Sequence, residues 1–169
     1  MNIKKIESKK DLEEVFVALN EQIYRYIFVR CGYRKELAED ITQDVFIKVW
    51  NKRDLFDQSK SSLKNWIYIV ARNTLIDFQR TTKNEESINE EEQDLGINNS
   101  LENTESSLMM EVVKNGLVKL SEQDKEIITL RYIQDLDIKD ISKIIGKNYI
   151  ATKVMLHRAM GKLKKIVEN

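Results

Sequence analysis

Apolar residues recur along this chain at intervals of three and four, the period of an amphipathic helix, and strand-like two-residue alternation is hard to find. From 11 to 30, Leu12, Val15, Phe16, Leu19, Tyr26, Ile23 and Ile27 fall on one side of a long helix predicted to end near Gly32. From 35 to 52, Leu37, Ile41, Val45 and Val49 repeat at four-residue spacing, flanked by Ala38, Phe46 and Trp50. The polar loop DQSKSS follows, and its Ser61 or Ser62 is placed to cap a third helix. That helix packs through Leu63, Trp66, Ile67, Val70, Ala71, Thr74, Leu75 and Phe78. Further on, Leu108, Met109, Val112, Val113, Gly116, Leu117 and Leu120 form another stripe. Ser121 then opens S-E-Q-D, a capping signal for a helix carrying Ile127, Ile128, Leu130 and Tyr132. Two short helices close the pattern. The first holds Ile138, Ile141, Ile144 and Ile145 between a capping Asp137 and a terminating Gly146; the second packs through Thr152, Leu156, Ala159, Leu163 and Ile166. With no proline in the chain, the predicted class is all-α, each helix burying one stripe in a small bundle.

Charge divides these helices into two sets. The chain's 28 basic and 28 acidic residues cancel, yet residues 1–82 hold 15 basic and 12 acidic, 83–107 hold 1 and 8, and 108–169 hold 12 and 8. The middle stretch, KNEESINEEEQDLGINNSLENTESS, offers little that packs and reads as a flexible acidic linker. The expectation is two small helical domains, 1–82 and 108–169, joined by a tether over 83–107, the second a four-helix unit ending in a helix-turn-helix.

The closing pair of helices carries the strongest functional signal. Opposite the packing stripe of the last helix lie Lys153, Val154, His157, Arg158, Lys164 and Lys165, and no acid occurs from Ile141 to Val167. Two helices joined by a Gly-containing turn, the second presenting cations, fit a major-groove reader. A solvated basic face at a C-terminal helix end is the alternative. Glu36, Glu39, Asp40, Gln43 and Asp44 make a mainly acidic outer face on the second helix, either solvated or docking a basic partner. In the third helix, Trp66 and Tyr68 beside Lys64, Arg72, Asn73 and Arg80 suit unstacked bases; plain core packing is the alternative for the two aromatics.

Composition removes other classes. One cysteine, Cys31, and one histidine, His157, provide no intramolecular disulfide and no zinc cluster, and no catalytic triad or Gly-rich phosphate loop occurs. Cys31, between Arg30 and Arg34, reads as a buried filler rather than a redox sensor. No metal, cofactor or catalytic residue is expected. No run approaches the ~18 apolar residues of a membrane span, and MNIKKIESKK leads into acids rather than a secretory core, so the expectation is a cytoplasmic protein without membrane insertion.

The segments ELAEDITQDVFIKVWNK and NWIYIVARNTLIDFQR, followed by LSEQDKEIITLRYIQDLDIKDISKIIG and TKVMLHRAMGKL, resemble the extracytoplasmic-function group of the sigma-70 family, bacterial RNA polymerase sigma factors. The likeness covers roughly 19–82 and 108–166. It implies that the first block is a region 2-like domain, docking core polymerase through Glu36, Glu39, Asp40, Gln43 and Asp44. The same block then melts the minus-ten element and holds a flipped base through Ser61, Ser62, Lys64, Asn65, Arg72, Asn73, Asp77 and Arg80. It further implies a region 4-like domain that reads the minus-thirty-five element through Arg131, Lys153, Val154, His157 and Arg158. Core polymerase, promoter DNA and an anti-sigma factor are the implied partners, and the acidic linker either mimics nucleic acid in the polymerase channel or only solubilises. Similar proteins usually carry Gly and Thr where this chain has Ile150 and Ala151, Val at Thr152, Ser at Val154, and Arg at Met155 and Met160. Readout here is therefore expected to lean on phosphate contacts and on Val154 against thymine methyls. The rival reading is a stand-alone helix-turn-helix regulator that works without polymerase.

Overall fold

The computed structural model of the chain describes residues 4–86 and 105–168. Among these residues the secondary structure is wholly helical: α1 (Lys9–Arg30), α2 (Lys35–Asn51), α3 (Leu63–Glu86), α4 (Glu105–Val118), α5 (Glu122–Ile128), α6 (Ile138–Ile145) and α7 (Tyr149–Glu168). A 3₁₀ turn, Arg53–Leu55, follows α2, and α5 runs into a π turn, Thr129–Ile133.

The helix boundaries have local causes. Ser8 and Asp11 form a capping box at the start of α1: the Asp11 amide donates to Ser8 Oγ (3.2 Å) and the Ser8 amide to the Asp11 carboxylate (2.7 Å). Hydrogen bonds from the Glu7 amide (3.0 Å), the Ser8 hydroxyl and the Ser8 amide hold the Asp11 carboxyl below the ordinary carboxylate range. Ser62 caps α3 by accepting from the Asn65 amide (3.2 Å), and Ser121 caps α5 by accepting from the Asp124 amide (3.3 Å). Asp137 does the same for α6 at 2.7 Å. Gly146 ends α6 in the left-handed region at φ 68°, where an L side chain is strained.

Each unit buries the stripes its sequence pattern marks out. Val15, Ile23 and Ile27 of α1 meet Val45 and Val49 of α2 and Ile67 and Leu75 of α3, all fully buried. In the second unit Ile127, Leu130, Ile141 and Ala159 form the centre. Gly116 lets α4 approach α7 closely, since a Cβ there would lie 2.9 Å from Leu163 Cδ1.

Three predicted core positions are instead exposed. Phe16 (42%) lies at the rim between α1 and α2, while Val112 (45%) and Tyr132 (59%) face outward from α4 and the π turn. The expected linker is shorter at both ends, because α3 continues to Glu86 and α4 begins at Glu105. Residues 87–104, and with them the expected path of the tether, lie outside the described residues. The two units are docked: α3 packs on α6, and α1 packs on α5 and the π turn.

Candidate functional site

The docking face is built from polar residues of both units. Glu126 on α5, almost fully buried, accepts a hydrogen bond from the Tyr26 hydroxyl (2.8 Å) and is paired with Arg30 Nη1 (3.0 Å) and Arg72 Nε (3.0 Å). Arg30 also reaches Glu122 at 3.2 Å, and Gln79 of α3 donates to the same carboxylate at 2.9 Å. Burial works against the charge of Arg30, but Tyr26, Glu126 and Glu122 outweigh it and hold the guanidinium above its ordinary pKa. Burial also raises the Tyr26 hydroxyl, so it donates as the neutral phenol. At the other end of the face the Asn65 amide donates to Asp140 of α6 at 2.6 Å. The buried Gln134 amide, in the orientation that satisfies both its ends, donates to the Tyr68 hydroxyl (2.9 Å) and the Gln22 carbonyl (3.2 Å).

This arrangement divides the residues expected at the minus-ten element into three places. Ser61, Ser62 and Lys64 line a cleft of about 600 Å³ beside α1, with Lys4, Gln22 and Gln58. Asn65 and Arg72 turn toward the second unit, on the α3 stripe that includes Tyr68 and Gln79. Asn73, Asp77 and Arg80 are exposed on the outer face of α3, where Arg80 and Asp77 pair at 3.3 Å. Of the two readings open for Trp66 and Tyr68, a stacking surface or core packing, the structure shows core packing. Tyr68 is fully buried edge-on to Tyr26, and Trp66 is half-buried against Phe56, so both belong to the core.

On α2, Glu36, Glu39, Asp40, Gln43 and Asp44 are all exposed. At about 100° per residue, Ile47 falls between the Gln43 and Asp44 columns, and it is 57% exposed. It belongs to an apolar groove of about 410 Å³ between α1 and α2, lined also by Leu12, Phe16, Val17, Phe46 and Trp50. Val17 is 84% exposed. Apolar floor and acidic edge together have the make-up of a protein interface.

The helix-turn-helix is α6, the turn Gly146, Lys147, Asn148, and α7. Asn148 caps α7 by accepting from the Ala151 amide at 2.8 Å. Thr152, Ala159 and Leu163 are buried, whereas Lys153, Val154, His157 and Arg158 are exposed on the opposite side. Tyr149 and Ile150 extend that face as an apolar tip. Met155 and Met160 are half-buried against the core and do not contribute to the face. Arg131 is half-buried: it donates to the Leu136 carbonyl (3.0 Å) and lies 3.7 Å from Asp135.

Two profiles of one family match this chain in that order, Sigma-70 region 2 over residues 16–85 and Sigma-70 region 4 over 111–163. The chain belongs to the extracytoplasmic-function group of the sigma-70 family. This sigma factor is 29% identical to RNA polymerase sigma factor YlaC of Bacillus subtilis over 161 residues, 93% of this chain and 92% of that one. It is 28% identical over 154 residues to ECF RNA polymerase sigma factor SigM of the same organism, covering 90% and 93% of the two chains. Its fold is similar to that of sigma factor RpoE from Bartonella quintana, solved with the anti-sigma factor NepR, with a TM-score of 0.74 and 22% identity over 94% of this chain and 98% of that one.

Sequence reasoning missed the buried Arg30 and its carboxylate partners. A hint was present: Asn65, Tyr68, Arg72 and Gln79 share a helical stripe within α3, polar where a lone three-helix bundle has no use for it. Cys31 is the expected buried filler, and burial raises its thiol to about 11, which keeps it protonated and unreactive. Among the described residues no cluster of three or more His, Cys, Asp or Glu is placed to hold a metal, and no helix is long and apolar enough to cross a membrane.

Proposed function

We propose that this sigma factor docks core RNA polymerase through the acidic face of α2 and the adjoining groove, and reads promoter DNA at two points. The observation that carries the docking assignment is the continuity of Asp40, Gln43 and Asp44 with the apolar floor at Ile47. A partner helix with apolar residues and flanking cations complements both. The cleft lined by Ser61, Ser62 and Lys64 is large enough for one unstacked nucleotide and supplies hydroxyl, amide and amine groups for its edge and phosphate. Asn73 and Arg80 stand on the next exposed face, where the separated strand continues. In this reading region 4 enters the major groove with α7, Lys153 and Arg158 meeting phosphates and Arg131 bracing the approach. The division of labour is 1–82 for polymerase and minus-ten contacts and 108–169 for the minus-thirty-five element. The protein performs no catalysis itself and acts in the cytoplasm, with an anti-sigma factor as the expected regulator.

The test is size-exclusion chromatography of the purified chain with core RNA polymerase. A stoichiometric complex that yields promoter-dependent transcripts is expected; tight binding to duplex DNA with no complex would favour the stand-alone regulator. At finer grain, Val154→Ser exchanges a methyl contact for a hydroxyl. Base preference at one minus-thirty-five position should shift by about 1 kcal/mol or more, toward the low end for one direct contact, in a competition-binding series. Unchanged preference and affinity would remove Val154 from the readout.

A further inference from the structure

We infer that the segment ahead of α1, residues 4–8, is a strap that completes the cleft beside α1 and sets Lys4 on a phosphate of the separated promoter strand, joining Lys64 as the cleft's second cation. The inference rests on the reading of this cleft as the seat of an unstacked nucleotide. It adds a residue that lies before residue 16, where the region 2 match begins.

The strap is fastened at two points. Ile6 is sealed in the core at 2% exposure, and the Glu7 and Ser8 amides both donate to the Asp11 carboxylate, at 3.0 and 2.7 Å. Lys4 stands two residues before the buried Ile6 and lines the cleft with Gln22 of α1 and with Gln58, Ser61, Ser62 and Lys64 of the loop that leads into α3. Backbone held in place before a ligand arrives loses less entropy on binding, so a strapped lysine grips better than one on a loose chain.

Charge supplies the second, independent reason. The neighbouring cations are paired: Lys5 with Glu7 at 3.4 Å and Lys60 with Asp57 at 3.3 Å. Hydrogen bonds from the Ser59 hydroxyl (2.7 Å) and amide (2.9 Å), and then from Lys60, hold the Asp57 carboxyl below the ordinary range, so that pair persists at neutral pH. Lys4 and Lys64 have no ion-pair partner among the described residues, and no Asp or Glu lines the cleft. Two uncompensated amines in one concave site favour an anion. Gln22, Gln58, Ser61 and Ser62 add neutral donors and acceptors suited to a base edge, and that combination fits a nucleotide with its flanking phosphates.

The test compares holoenzymes, core RNA polymerase with the full chain, on a fragment carrying a promoter that this protein selects, prepared with its minus-ten segment unpaired. Lys4→Ala should raise Kd for this fragment about fivefold at about 0.1 M salt, an effect that vanishes toward about 1 M. The slope of log affinity against log salt should flatten by about 0.7, the share of one phosphate contact on a single strand. Lys4→Arg keeps the charge and should restore wild-type affinity. Lys5→Ala removes the paired cation next door and should change nothing. Binding to core alone should match wild type in Lys4→Ala, since Lys4 takes no part in the groove between α1 and α2. Unchanged affinity and slope in Lys4→Ala, beside a Lys64→Ala that loses both, overturns the strap's role and leaves the cleft reading standing. Unchanged binding in both variants removes the cleft as the nucleotide's seat, and Lys4 with it. A loss that persists at about 1 M salt, or that Lys4→Arg does not restore, overturns the phosphate contact.

Discussion

Replacing Asp40 and Asp44 together by lysine should weaken binding to core RNA polymerase by at least about 100-fold, roughly 2.7 kcal/mol. Both carboxylates are exposed on α2, one turn apart, beside the apolar floor at Ile47. Reversal changes attraction into like-charge repulsion against a basic partner helix and leaves the buried stripe of Ile41, Val45 and Val49 untouched. Thermal unfolding should therefore be nearly unchanged while affinity, measured by fluorescence anisotropy against purified core, collapses. The loss should shrink as salt is raised, because rim charges are screened and the apolar floor is not. Wild-type affinity in the double variant would move polymerase docking away from α2.

The second large effect is on stability. Glu126→Ala should cost ~3–5 kcal/mol, the range for removing one partner of a buried ion pair. Arg30, only 3% exposed, would keep Glu122 at 3.2 Å but lose its 3.0 Å partner, Arg72 would lose its own, and the Tyr26 hydroxyl would lose its acceptor inside the protein. Glu126→Gln keeps an oxygen for that hydroxyl and should cost markedly less. Urea denaturation at neutral pH compares the two, and equal, small losses would mean that the network contributes little to docking. Acid acts on the same face through Glu122. Burial raises its pKa, but hydrogen bonds from Lys125 and Gln79 and the charge of Arg30 outweigh that and hold the carboxyl below its ordinary 4.5. A depressed carboxylate stabilises the fold fully above the ordinary value and loses that contribution as pH falls through the depressed one. Its share of the docking should therefore persist through neutral pH and fade only below about 4.5.

Helix positions were legible because each rests on short-range rules. Four-residue spacing at Leu37, Ile41, Val45 and Val49 gave α2, and Asp137 with Gly146 bracketed α6. The acidic outer face of α2 and the basic outer face of α7 followed from the same periodicity. Periodicity is blind to what covers a stripe, and the failures share that cause. Phe16 falls at a core-facing spacing yet forms the wall of an open groove, and Tyr68 falls among cations yet is sealed beneath the second domain. Arg30 at the end of α1 looked like a helix-terminal cation; its burial depends on Glu122 and Glu126, about 90 residues later in the chain, and no local rule reaches that far.

Mapping transcription start sites on genomic DNA in a purified system, with core RNA polymerase alone and with core plus this protein, tests the two-point reader most directly. The expected result is a new set of start sites that share two upstream elements at fixed spacing, present with the wild-type chain and lost with Asp40→Lys, Asp44→Lys. No new starts, or new starts sharing one element only, would contradict it.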